Sequence, residues 1–192
     1  LEGSAFIAGA AVQWLRDGLG IIESAPEIES LANSVEDSAG VYFVPALTGL
    51  GAPHWNAEAR GVICGLTRGV NRGHLARATL EGIAYQNFEI LEAMTIDAGK
   101  PLTALKVDGG AAANNLLMQF QADLLDVELI RPVHLETTAI GAAFLAGLAV
   151  GVWADLDAVR SAWLEQQRFS RRMDEERITT GIEGWRKAVS RT

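Results

Sequence analysis

A strand-like run from Leu105 to Asp108 ends on Gly109 and Gly110, and Asn114 and Asn115 then open a helical pattern. In an open α/β sheet, ligands lie just beyond the carboxyl ends of strands. A glycine there has no Cβ, so its backbone can approach a ligand closely and can adopt positive φ. Two in succession predict a flat backbone surface with N–H groups exposed at a helix start. Such a surface suits phosphate or the face of a base. Asn114 adds a donor and an acceptor, matched to an adenine edge or a ribose. On this stretch alone a plainer reading stays open, in which the glycines make a tight turn and the asparagine caps the helix.

Gly9 and Gln13 form a second constellation, four residues apart in a helical stretch and so on one face. A glycine inside a helix costs ~1 kcal/mol relative to alanine. That cost points either to close helix packing or to a ligand lying on the backbone. Asp108 suits Mg²⁺ or, more simply, a capped strand-end turn. Arg68 suits a phosphate or a surface ion pair. Glu136-Thr137-Thr138 has the chemistry of a helix start, with a hydroxyl cap and a carboxylate near the positive dipole end. His54 and Trp55 lie in a Gly/Pro-rich stretch and are expected at a subunit or interdomain contact. His74 is expected on a first helical turn and His134 in solvent.

These residues need elements to hold them. Ser4 is expected to cap a helix reaching about Leu19, with Ile7, Ala11, Trp14 and Leu15 on one stripe. Pro26 suits the first turn of a short helix through Ile28, Leu31 and Val35. Residues 41–45 form a strand buried on both faces, residues 47–60 a long ordered loop, and residues 61–66 another strand. Asn71 caps a long helix with apolar residues at three- and four-residue steps, and Gly99 closes it. A strand over 105–108, a helix from Asn114 to about Asp126 and a strand over 127–131 follow. A small-residue helix runs from about Thr138 to Val150, and Gly141, Ala142, Ala143, Ala146 and Gly147 would let it pack tightly. Helices starting near Asp155 and Asp174 complete the chain. The alternation predicts a layered α/β domain over 1–192, with helices against the sheet and no linker inside it.

The chain has 192 residues, 49% of them apolar, which is enough for one sizeable core. A net charge of -8 argues against nucleic acid or an anionic membrane surface as partner. The lone Cys64 excludes an internal disulfide framework and cysteine-based zinc motifs. Residues 137–154 carry no charge, but glycines and alanines dilute them, so a buried helix is expected rather than a membrane span. The cytoplasm is the expected compartment. Leu1 is not a start methionine and no leader pattern follows it, so the chain is expected to be a piece of a longer one.

The stretches LEGSAFIAGAAVQWLRDGL, VYFVPALTGLGAPHW, ARGVICGLTRG, HLARATLEGIAYQ, KVDGGAAANNLLMQFQADLL and ETTAIGAAFLAGLAVGVW together resemble the C-terminal half of the glycerol kinases. These belong to the FGGY family of carbohydrate kinases, within the actin/hexokinase-like (ribonuclease H-like) ATPase superfamily. The likeness extends to GIEGWRKAV near the end, and Gly61, Gly65, His74, Leu75 and Glu81 fit the family's second signature. Lys106 departs from the family's arginine. The resemblance implies the C-terminal nucleotide-binding domain of a two-domain kinase, with ATP bound by Gly9, Gln13, Gly110 and Asn114. It implies Mg²⁺ with the ATP, glycerol held through an N-terminal domain outside this chain, a homo-oligomeric enzyme, and no catalytic residue among these 192. Another FGGY kinase acting on a pentulose or sugar acid, or a non-catalytic binding module of the same fold, are the alternatives.

Overall fold

The computed structural model describes residues 2–192. Helix α1 (Gly9–Asp17) starts four residues later than a Ser4 cap would place it, with Ala8 at its N-cap and no side-chain cap. The stripe of Ile7, Ala11 and Leu15 is buried as expected. Helix α2 (Glu27–Ala32) follows Pro26, which stands at the N-cap. Strands β1 (Tyr42–Val44) and β2 (Val62–Cys64) pair antiparallel, with Phe43 opposite Ile63. The loop between them is ordered: Leu50 and Asn56 exchange backbone hydrogen bonds at 2.8 and 3.0 Å.

Helix α3 (Arg72–Ala98) is the axis of the molecule and packs against α1, α2 and β1. Its start is a reciprocal cap. The Asn71 side chain accepts from the Gly73 amide, and His74 Nδ1 accepts from the Asn71 amide at 3.1 Å. Gly99, at φ +61°, ends it in the left-handed conformation that lacks a Cβ penalty. The second sheet runs β3 (Ala104–Lys106), β4 (Glu128–Pro132) and β5 (Glu165–Phe169), in the order β3-β4-β5. The pair β3–β4 is parallel, joined through a 3₁₀ turn over Gly110–Ala113 and helix α4 (Asn115–Leu125), while β5 adds antiparallel to β4. Helices α5 (Thr137–Ala149) and α6 (Leu156–Ala162) lie between β4 and β5, and α7 (Glu175–Val189) closes the chain. The core gathers around α3, with Leu15, Val44, Ile83, Leu129 and Trp185 all fully enclosed.

Three expectations change. The strands form two small sheets among the described residues rather than one layer. Helix α5 is not buried: Gly147 is its one buried residue, and Leu145 is 68 % exposed. Strand β5 falls where no strand was expected, since four of its five residues are polar and exposed. Among the described residues no helix is long and apolar enough to cross a membrane.

Candidate nucleotide site

The two glycines after β3 are not equivalent. Gly109 sits at φ +79° and ψ 171°, a region open essentially to glycine alone. Its amide donates to the Leu135 carbonyl at 2.8 Å. Gly110 lies outside the left-handed region, and a Cβ built on it would meet nothing within 4 Å. So Gly109 makes the turn and Gly110 keeps space beside it. Asn114 is the N-cap of α4, its Oδ1 accepting from the Leu117 amide at 2.8 Å. That cap commits its oxygen and leaves its Nδ2 donors without an acceptor among the described residues.

The start of α4 is not a free anion site. Glu29 of α2 reaches across, and its Oε1 accepts from the amides of Asn115 at 2.9 Å and Leu116 at 3.2 Å. A carboxylate thus already satisfies the first two amides of α4. The amides of Gly110 and Ala111, one step earlier, have no acceptor among the described residues. Beneath the turn lies Arg131 of β4, only 4 % exposed. Its guanidinium donates to the carbonyls of Ala112 (2.8 Å) and Ala113 (3.2 Å) and to the Asn115 side chain (2.8 Å). It also reaches Gln166 (2.7 Å) and Gln167 (2.8 Å) of β5 and stacks over Phe169. Every one of these acceptors is neutral.

Gly9 and Gln13, far away in sequence, reach the same place. Gly9 is the first residue of α1 rather than a mid-helix one, and a Cβ on it would also meet nothing within 4 Å. The close-packing reading of this glycine is thereby refused. Buried Gln86 of α3 donates to the Ile7 carbonyl at 3.0 Å and fixes the entry to α1. Gly9, Gln13, Gly110 and Asn114 all line one cavity of about 600 Å³, with Val12, Ile28, Leu80, Ile83 and Leu117 forming its apolar floor. An apolar floor with a few convergent amides suits a flat heterocycle with a polar edge.

The other candidates stand apart. Asp108 accepts the Thr137 hydroxyl, so that hydroxyl does not cap α5, whose N-cap is Glu136 without a side-chain bond. Among the described residues no group of three or more His, Cys, Asp or Glu is placed to hold a metal ion. Arg68 is exposed and does not line the cavity. His54 is docked on α3, its Nε2 2.9 Å from the carboxylate of buried Glu89, while Trp55 is 74 % exposed. A second cavity, about 510 Å³, opens between Tyr42, Glu81, Tyr85 and Arg177. There, burial pushes the carboxyl of Glu81 and the phenol of Tyr85 above their ordinary values. Sequence reasoning passed over Glu29 and Arg131. The one available signal was an arginine beside Leu129 and Ile130 in a strand buried at those positions.

A model of the C-terminal domain of the FGGY family of carbohydrate kinases matches residues 1–150. A glycerol kinase of Burkholderia multivorans is 61% identical over 189 residues, covering 98% of this chain and 38% of the relative. A glycerol kinase of Paraburkholderia phytofirmans is 58% identical over the same shares. The chain thus spans under two fifths of the length of the curated relatives it matches. The structure of a Plasmodium falciparum glycerol kinase with ADP superposes with a TM-score of 0.86 at 39% identity, over 96% of this chain and 37% of that one. A xylulose kinase of Lactobacillus acidophilus reaches 0.74 at 23% identity, over 98% and 37% of the two chains, a likeness of fold alone.

Proposed function

Since this chain belongs to the FGGY family of carbohydrate kinases, we propose that it is the ATP-binding C-terminal portion of a glycerol kinase. The intact enzyme, cytoplasmic and homo-oligomeric, transfers the γ-phosphoryl group of ATP to a terminal hydroxyl of glycerol and yields glycerol 3-phosphate. The observation that carries this reading is the convergence of Gly9 and Gln13 with Gly110 and Asn114 on one apolar-floored cavity. Identity of about 60% to glycerol kinases along nearly the whole chain supports the choice of substrate.

In this reading the adenosine rests on Gly110 and Gly9, where no Cβ intrudes, over Ile28, Leu80 and Leu117. The amides of Gly110 and Ala111, the Asn114 Nδ2 and the Gln13 amide meet its polar edge. These contacts position the nucleotide, and positioning is a large part of phosphoryl-transfer catalysis. Mg²⁺ would come with the ATP, held mainly by its phosphates and water; among the described residues no group of three or more His, Cys, Asp or Glu is placed to hold it on protein ligands alone. No side chain of this chain is given the role of base, and glycerol is held by groups beyond it.

The test is Gly110→Val in the intact enzyme. The substituent enters open space in the protein, so folding survives while the nucleoside's resting place is filled. The KM for ATP should rise at least about tenfold with the KM for glycerol little changed, a loss of binding specific to one substrate. Equal effects on both substrates would reduce the turn to a structural feature.

A further inference from the structure

The turn from Gly110 to Asn115 is gripped by two opposite charges that do not touch each other. We infer that Glu29 and Arg131 are positioning residues for nucleotide binding, holding the two poles of this turn in the shape against which the nucleoside rests. The inference builds on the nucleotide reading above and names which residues give the site its form.

Glu29 takes the amide pole. Its Oε1 receives Asn115 and Leu116, while Asn114 takes Leu117, so the leading amides of α4 are satisfied by side chains. A carboxylate is favoured at the partial positive charge of a helix start. The bond also ties two elements of the cavity's lining together, because Glu29 comes from α2 and Gly110 and Asn114 from the turn before α4, and all three line it. It therefore sets the spacing into which a planar base must fit.

Arg131 takes the carbonyl pole. It draws the carbonyls of Ala112 and Ala113 inward and holds the side chain of Asn115, the residue whose amide Glu29 receives. A planar guanidinium can satisfy several fixed acceptors at once, and a lysine ammonium cannot reproduce that fork. Its remaining donors bind Gln166 and Gln167, which hang the turn on strand β5. A buried arginine with only neutral acceptors is costly to keep, and the geometry here spends it on one turn.

The test uses steady-state kinetics of the intact enzyme with thermal melts alongside. Glu29→Ala is expected to raise the KM for ATP roughly tenfold, the size of one charged hydrogen-bond pair. The KM for glycerol and kcat should stay within about twofold, a split that loss of overall structure would not produce. Glu29→Gln keeps an acceptor oxygen and should recover most of the loss. Arg131→Lys should show the same split together with a lower melting temperature. Should Arg131→Lys fail to fold, the Glu29 pair still decides. An unchanged KM for ATP in Glu29→Ala, or equal rises for ATP and glycerol, overturns the inference while a Gly110→Val effect keeps the nucleotide reading alive. If Gly110→Val also leaves the KM for ATP untouched, the reading and the inference fall together.

Discussion

Gly109 and Gly110 stand side by side under opposite constraints, and stability measurements on the chain can separate them. Gly109→Ala puts a Cβ at φ +79° and should cost about 1–3 kcal/mol. Gly110→Ala meets no neighbour and should stabilise by about 0.4–1 kcal/mol, through a less flexible unfolded state. Urea unfolding of both variants checks this, and shifts of the same sign would show that the two positions are equivalent after all. The sequence pointed to a paired-glycine turn but could not divide the labour, because φ depends on how the Gly109 amide is drawn to Leu135. Glu81 makes a second residue-scale prediction. Burial raises its carboxyl pKa even though Arg77 lies 2.9 Å away. The folded chain then holds this proton more tightly than the unfolded one. The associated stability is fully present below the ordinary carboxylate pKa and is lost as pH rises through the raised value. Glu81→Gln, neutral and similar in shape, should flatten that part of the curve of unfolding midpoint against pH; a curve with the same slope would reassign the slope to other groups.

Elements were legible where local chemistry and packing agree. Asn71 and Gly99 bracket α3 because a cap and a left-handed stop are written in single residues. Asn114 caps α4, as the plainer reading of that residue had it, and it also lines the cavity. Burial of α5 was not legible: alanine and glycine tell how closely a partner can approach, not whether one is there. The strand β5 was hidden for the opposite reason, since it is held by backbone pairing to β4 and by Arg131 rather than by an apolar stripe. A paired substitution tests this contrast in the 192-residue chain. Leu145→Ser on exposed α5 should change unfolding free energy by no more than about 0.5 kcal/mol. Leu129→Ala in β4, where the side chain is fully enclosed, should cost about 2–5 kcal/mol. Comparable losses would mean that α5 finds cover in solution that the isolated fold does not provide.

At the scale of the molecule, what these residues build in the proposed reading is one wall. The resemblance named the nucleotide, and periodicity supplied most of the helices, but neither could bring α1 to the turn after β3. That meeting is made by α3, against which both α1 and α4 pack and whose Gln86 fixes the entry to α1. The wall alone predicts a functional limit. A phosphoryl transfer draws on positioning and on electrostatic stabilisation of the moving group. Well-oriented reactants recover roughly 7–11 kcal/mol of the barrier, but only when both are held. This chain offers apolar floor and amides to a nucleoside, and a carboxylate rather than free amides at the nearby helix start. No lysine or arginine lines the cavity among the described residues, so ATP and adenosine should bind the isolated chain with similar and weak affinity. The same chain should show no transfer from ATP to glycerol. Titration calorimetry with both ligands, followed by a coupled kinase assay on purified chain, reads each part. ATP binding much tighter than adenosine would mean that phosphate is recognised within these residues. Turnover that persists after full-length kinase has been removed would place the reacting groups here as well, and the division of labour proposed for the intact enzyme would have to be redrawn.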